Sequence, residues 1–247
     1  MTYCLAMMMD AGLVFAADSR TNAGMDSVST FRKLHVFETP GERLLVVLSA
    51  GNLAITQAVM AMLSEGAPDD RDAKTLLTVE TVYDAARLTG DALRRLHDRD
   101  SKYFSAHDIG FNASFIVGGQ IKGGRMRLFQ VYAAGNFIEA TPETAYFQIG
   151  ETKYGKPIIE RVLTPKLDLL SAAKCALVSL DSTIRSNVSV APPIDLLVYK
   201  RDSLAVSTRQ WVKDDDPYFN AVRGKWGAGL RTLFDTLPQP QWAVEVE

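Results

Sequence analysis

Two apolar runs open the chain. Residues 2–9 (TYCLAMMM) and 13–17 (LVFAA) flank an Asp10-Ala11-Gly12 turn, which predicts a β-hairpin. Neither run alternates apolar with polar residues, so both faces are expected to be buried. Residues 34–37 and 44–48 form a second strand pair around a Thr-Pro-Gly-Glu turn. A helix follows over residues 53–65, with Ile55, Val59, Met62 and Leu63 on one face, Asn52 as its cap and Gly66 as its stop. A longer helix is expected over residues 79–97. Strands come next at 111–117 and 126–132, flanking a hairpin at Gly118-Gly119 and Gly123-Gly124, and residues 137–138 and 146–149 continue that sheet. Two helices near 157–163 and 167–184 follow, the second with Leu167, Leu170, Leu177 and Leu180 on one face. Residues 194–199 and 204–210 close with a strand pair.

Strands arrive in blocks and helices in pairs, which argues for an α+β fold and against alternating βαβ units. Two antiparallel sheets, packed together and covered outside by two helix pairs, would bury every apolar face. That is a four-layer αββα sandwich. No linker, low-complexity tract or repeat divides the chain, and it reads as a single domain with residues 211–247 as a C-terminal extension. The extension is expected to pack at a subunit interface.

The 247 residues are 47% hydrophobic and 23% charged, with a formal net charge of −2. That balance gives no electrostatic case for nucleic acid or an anionic membrane. Cys4 and Cys175 sit in apolar runs and make no disulfide framework. Three histidines without HExxH or CxxC spacing leave little for zinc. No apolar stretch approaches the roughly 20 residues of a membrane span. Residues 1–17 resemble a signal peptide superficially, but no Lys or Arg precedes Arg20 and Asp10 interrupts the run. No leader is expected before the first strand, and the expected location is the cytoplasm.

Candidate chemistry gathers near the N-terminus. Removal of Met1 would make Thr2 the first residue, carrying a hydroxyl nucleophile and an amine able to act as its base. The α-amino pKa of about 7.7–8.0 makes that amine useful near neutral pH. Asp18 ends a buried strand and needs a partner there; Lys33 is one candidate, and a purely structural ion pair is the plain alternative. Gly51 lies in a Ser-Ala-Gly-Asn turn between strand and helix, where unpaired N–H groups can hold an oxyanion or simply turn the chain. Asp181, Ser182, Thr183 and Ser186 make a polar helix end. Asp214 to Asp216 reads as a solvated loop. The stretch 226–234, with Gly227 and Gly229, fits a subunit contact or a helix packed on its own domain.

Together these features resemble a mature proteasome β-type subunit. The opening TYCLAMMMDAGLVFAADSRTNAG carries the N-terminal threonine, Gly12, the AADSR segment and Gly24 in register. Sixteen residues separate Thr2 from Asp18, and thirty-one separate it from Lys33, one fewer than usual. Ser49-Ala50-Gly51 matches the segment that supplies the oxyanion glycine. The STFRKLHVF, SLDSTIRSNVSV and PPIDLLVYK segments are similar to the bacterial branch termed Anbu, the ancestral β subunit. The resemblance covers the chain to about residue 210. It implies the αββα fold of N-terminal nucleophile hydrolases, with Thr2 Oγ as nucleophile, its amine as base, Lys33 as the nearby cation and Asp18 as the group that orients Lys33. It further implies the Gly51 N–H as oxyanion donor, Asp181 and Ser186 as supports of Thr2, and backbone at Asn22 and Ser49 along the substrate, Ser49 at the mouth of the specificity pocket. Two departures stand out. The family places a serine after the glycine matched by Gly150, where this chain has Glu151. Asp181 and Ser186 also stand two residues further apart than the family pattern.

The resemblance implies a threonine-type peptidase or amidohydrolase acting on peptides or isopeptides, without metal or organic cofactor, in a self-assembled ring or helical homo-oligomer. A different reading is an assembly-forming scaffold or binding protein that keeps the fold with little activity, and Glu151 motivates it.

Overall fold

The computed structural model describes residues 2–22, 28–68, 70 and 72–242. Met1 and Gly24 lie outside the described residues. The chain forms β1 (Tyr3–Met9), β2 (Gly12–Asp18), β3 (Arg20–Asn22), β4 (Val28–Thr30), β5 (Leu34–Thr39), β6 (Arg43–Gly51), α1 (Leu53–Glu65) and α2 (Val82–Ala106). It continues through β7 (Ala113–Ile121), β8 (Arg127–Val131), β9 (Phe137–Glu139), β10 (Tyr146–Gly150), α3 (Lys156–Val162), α4 (Leu169–Ser186), β11 (Ile194–Lys200), β12 (Thr208–Val212) and α5 (Pro217–Asp235).

Two five-stranded antiparallel sheets stack, in the orders β10-β1-β2-β11-β12 and β5-β6-β7-β8-β9, with β3-β4 as a separate ribbon. Three apolar layers hold them. Cys4, Ala6, Phe15, Leu44, Leu48 and Ile116 fill the space between the sheets. Ile55, Val59, Leu63, Leu93 and Leu96 pack α1 and α2 on the second sheet. Tyr3, Leu5, Ala176, Leu180 and Phe219 join α4 and α5 to the first. This is the expected αββα sandwich, and β1 and β2 are buried on both faces because each separates two of these layers. Among the described residues no helix is long and apolar enough to cross a membrane.

Several expectations are corrected. Strand β10 does not continue the sheet of β7 to β9; it crosses to the other sheet and pairs with β1. Gly118 and Gly119 lie inside β7, and only Gly123-Gly124 belongs to the turn. An added Cβ on Gly119 would stand 2.0 Å from the Leu44 carbonyl oxygen of the neighbouring strand. The glycine answers a close backbone approach, not a turn. Helix α2 starts at Val82, where Thr81 accepts a hydrogen bond from the Asp84 N–H, and runs on to Ala106. Leu170 is 77% exposed and is not part of the α4 core face. The last strand begins at Thr208, not at residue 204. Asp216 is no free loop residue: its carboxylate caps α5 through the Phe219 N–H at 2.8 Å.

The two glycine pairs should separate in stability. Gly119→Ala should lower the unfolding free energy by about 3 kcal/mol, because strain and a backbone clash coincide. Gly123→Ala, whose φ is +81° in open space, should cost only about 1 kcal/mol. Urea midpoints in the reverse order would place the constraint in the turn.

Candidate active site

The β1–β2 register sets the site. Cys4 pairs with Ala17, so Asp18 arrives opposite Tyr3, one residue from Thr2. The Tyr3 N–H donates to Asp18 Oδ1 at 2.9 Å. Lys33, just before β5, donates from Nζ to the same oxygen at 2.8 Å and to the Arg20 carbonyl at 2.6 Å. Asp18 is fully buried and Lys33 is 6% exposed. Burial pushes the Asp18 carboxyl above the ordinary carboxylate range, and Lys33 is the main influence opposing it. Asp18 Oδ2 is buried without a hydrogen bond, although the Ala191 backbone amide helps to hold the charge.

The remaining wall comes from β6 and α1. The Ser49 N–H bonds the Lys33 carbonyl at 3.0 Å, which fastens β6 to the segment carrying the lysine. Gly51 ends β6 at φ +117°, and a Cβ there would stand 2.3 Å from the Asn112 carbonyl oxygen. Only glycine fits this exit. Asn52 then caps α1 by accepting from the Ala54 N–H at 2.9 Å. Thr2, Lys33, Ser49 and Gly51 line one cavity of about 290 Å³. Burial also pushes the neighbouring Cys4 thiol up, so it stays protonated and does not compete as a nucleophile.

Asn22 pairs through its backbone with Val28 at the end of β3, and the adjacent Thr21 lines the cavity. Both Asp181 oxygens are occupied, one by Arg185 Nε at 3.0 Å and the other by Arg223 Nε at 2.8 Å. Ser186 is exposed at the end of α4. Neither Asp181 nor Ser186 lines the cavity that holds Thr2.

Gly150 and Glu151 approach Thr2 from the β10 side. The Glu151 N–H donates to the Thr2 carbonyl at 2.7 Å. Gly150 allows this approach, since a Cβ on it would stand 2.0 Å from that carbonyl oxygen. The Glu151 carboxylate is buried and accepts from Asn187 Nδ2 at 3.1 Å. In the sequence Glu151 is visible only as a departure from a pattern. Asn187 closes α4, its N–H bonding the Thr183 carbonyl, and an asparagine just past a helix ordinarily reads as a cap.

Known proteins share this fold. Residues 2–198 match the family described as proteasome subunit. No curated protein matches the chain. Among solved structures, Anbu (ancestral β subunit) from Yersinia bercovieri is 49% identical, with 98% of this chain and 100% of that chain covered and a TM-score of 0.90. Anbu from Hyphomicrobium sp. strain MC1 is 48% identical, with coverage of 97% and 100% and a TM-score of 0.86. A helical assembly of the Anbu complex from Pseudomonas aeruginosa has subunits 53% identical, with coverage of 96% and 98% and a TM-score of 0.90. The chain therefore belongs to the proteasome subunit family, in its Anbu branch.

Proposed function

We propose that the chain is a threonine-type amidohydrolase that cleaves peptide or isopeptide bonds inside a homo-oligomer. One observation carries this reading: Thr2 shares a cavity with Lys33, whose ammonium is held by the buried Asp18. With Met1 removed, Thr2 Oγ attacks the substrate carbonyl carbon while the Thr2 amine takes its proton, directly or through water. The Gly51 N–H is the donor for the oxyanion, an interaction worth about 3–4 kcal/mol where it has been removed elsewhere. Collapse breaks the C–N bond and delivers the proton to the leaving amine. Water then adds to the resulting ester, and the amine again takes the proton, releasing the acid and restoring Thr2. Lys33 favours the neutral amine and the developing alkoxide. Chemistry of this kind uses no metal or organic cofactor.

Glu151 supports the second reading, a scaffold with little activity. A carboxylate beside Thr2 favours the protonated amine, which is no base.

Self-association fits both readings, and residues 211–247 are its proposed surface within the single domain. Leu230, Leu233, Phe234 and Leu237 are 46–73% exposed and recur at helical spacing along and just past α5. The similar Pseudomonas aeruginosa protein forms a helical assembly.

Intact mass of the purified oligomer should show loss of one methionine, and a peptide epoxyketone should add to Thr2 but not to the Thr2→Ala variant. Retained Met1 with no adduct would defeat the hydrolase reading. A Thr2→Ala strain with every cellular function intact would favour the scaffold.

Lys33→Met should destabilise the protein by roughly 3–5 kcal/mol, because the buried Asp18 loses its counter-charge. Burial is then opposed only by backbone amides such as Tyr3 and Ala191, and the folded-state pKa of Asp18 rises further above the unfolded value of about 3.9. The folded state keeps a proton that the unfolded chain has released, so the variant's stability should fall as pH rises above that value. Denaturation midpoints that do not fall with pH relative to the parent would contradict this.

Leu233→Glu with Phe234→Glu should yield smaller particles by light scattering, with an unchanged circular dichroism spectrum. Unchanged particle mass would move the interface elsewhere.

A further inference from the structure

We infer that the cavity beside Thr2 takes an acidic side chain, an aspartyl or glutamyl residue on the acyl side of the scissile bond. This rests on the reading of Thr2 as the nucleophile and names the substrate class of that site. The cavity continues past Thr2 and Gly51 to Thr21, Phe31, Arg32, His35, Gln57 and Met60. Among the described residues, its ionisable lining apart from the chain's own Thr2 is Arg32, Lys33 and His35, all basic, and no carboxylate lines it.

These three differ in what they can offer. The Lys33 charge is already matched by Asp18 at 2.8 Å. His35 is held below its ordinary pKa, first by burial and then by Arg209, so it is neutral at pH 7 and serves as a hydrogen-bond donor. Arg32 has no carboxylate within ion-pair distance among the described residues. Its guanidinium lies 5.1 Å from the centre of the Trp211 ring, which braces the flat group. A braced guanidinium suits a carboxylate, which it can bind through two parallel bonds. Thr21 and Gln57 add neutral donors, and Met60 packs against the methylenes of the entering side chain. A volume of about 290 Å³ holds one side chain, not a folded segment.

The described carboxylates around the cavity are already matched: Asp195, which acts on His35, is held by Arg209 at 2.7 Å. Asp18 is committed to Lys33. Glu151 follows β10, which lies on the opposite side of β1 from β2, and it is bonded to Asn187. A lysyl or arginyl side chain would meet Arg32 with no acid among the lining residues described.

Binding can be read without the reaction. Fluorescein-labelled hexapeptides ending in Glu, Gln or Lys are titrated into the assembled Thr2→Ala protein and followed by fluorescence anisotropy. The glutamyl peptide should bind about tenfold more tightly than the glutaminyl one, and the lysyl peptide most weakly. Raising NaCl from about 0.05 to about 0.5 M should narrow the gap, and Arg32→Gln should close it. Equal affinities, a lysyl preference, no binding by any peptide, or a gap that survives Arg32→Gln would overturn the assignment. The same sequences carried as aminomethylcoumarin amides test the nucleophile separately in the unsubstituted protein. Glutamyl-selective binding without cleavage would uphold the pocket and sink the hydrolase reading. Cleavage without glutamyl preference would do the reverse.

Discussion

The site depends on a buried ion pair. Asp18 ends β2 with no exposure to solvent, where an isolated carboxylate would be driven to its neutral form. Lys33 keeps the charge tolerable, and the Tyr3 N–H and Arg20 carbonyl complete the arrangement. One carboxylate oxygen thus gathers the start of β1, the end of β2 and the segment before β5. Such a pair adds little net stability compared with apolar packing, but removing one partner strands the other. Its value is positional. It fixes a lysine ammonium beside the first residue of β1, in a place where packing alone would exclude a charge.

Backbone proximity does the rest. Glycines at 51 and 150 let chain segments approach at distances that a Cβ would prevent, Gly51 against Asn112 and Gly150 against Thr2. Gly51 turns β6 into α1 with φ +117°, so the cavity wall passes from strand to helix in one residue. Gly150 brings the Glu151 N–H onto the Thr2 carbonyl. The stacked sheets supply rigid strand ends on which these approaches are repeatable. The cavity therefore lies where the sheets' ends meet α1, and the αββα layers act as its frame.

Local sequence made much of this legible. The β1–β2 hairpin has long apolar runs and an unambiguous turn, and α1 has both cap and stop, so its bounds of Leu53 and Glu65 follow directly. Asp18 could be matched to Lys33 because a charge in an apolar run must find an opposite charge nearby. What stayed hidden was non-local. Nothing in residues 146–150 says which sheet they join; their partner is β1, more than a hundred residues earlier. Gly118 and Gly119 read as a turn because the approach of Leu44 from the next strand is invisible in sequence. Arg32 and His35 carry no role in the sequence reading, and only the folded cavity brings them beside Thr2.

Asp181 shows why residue type alone does not assign a role. In the sequence it is an acidic residue at a polar helix end, within reach of a family pattern. In the structure it is buried, with Arg185 on one oxygen and Arg223 of α5 on the other. A carboxylate with both oxygens in charge-assisted hydrogen bonds is compensated where it stands. It ties α4 to α5. Glu151 is the opposite case. It is buried, its backbone touches Thr2, and its carboxylate accepts from a neutral amide, which screens the charge less than an arginine does. The acidic residue whose backbone meets Thr2 therefore comes from the β10 end and not from α4. Where the family resemblance expects a neutral serine hydroxyl, this chain carries a carboxylate, which in the proposed mechanism would favour the ammonium form of Thr2. Lys33 pulls the other way but is itself tied to Asp18. For the hydrolase we propose, the protonation of a free Thr2 amine is set by the contest between these two flanks of β1.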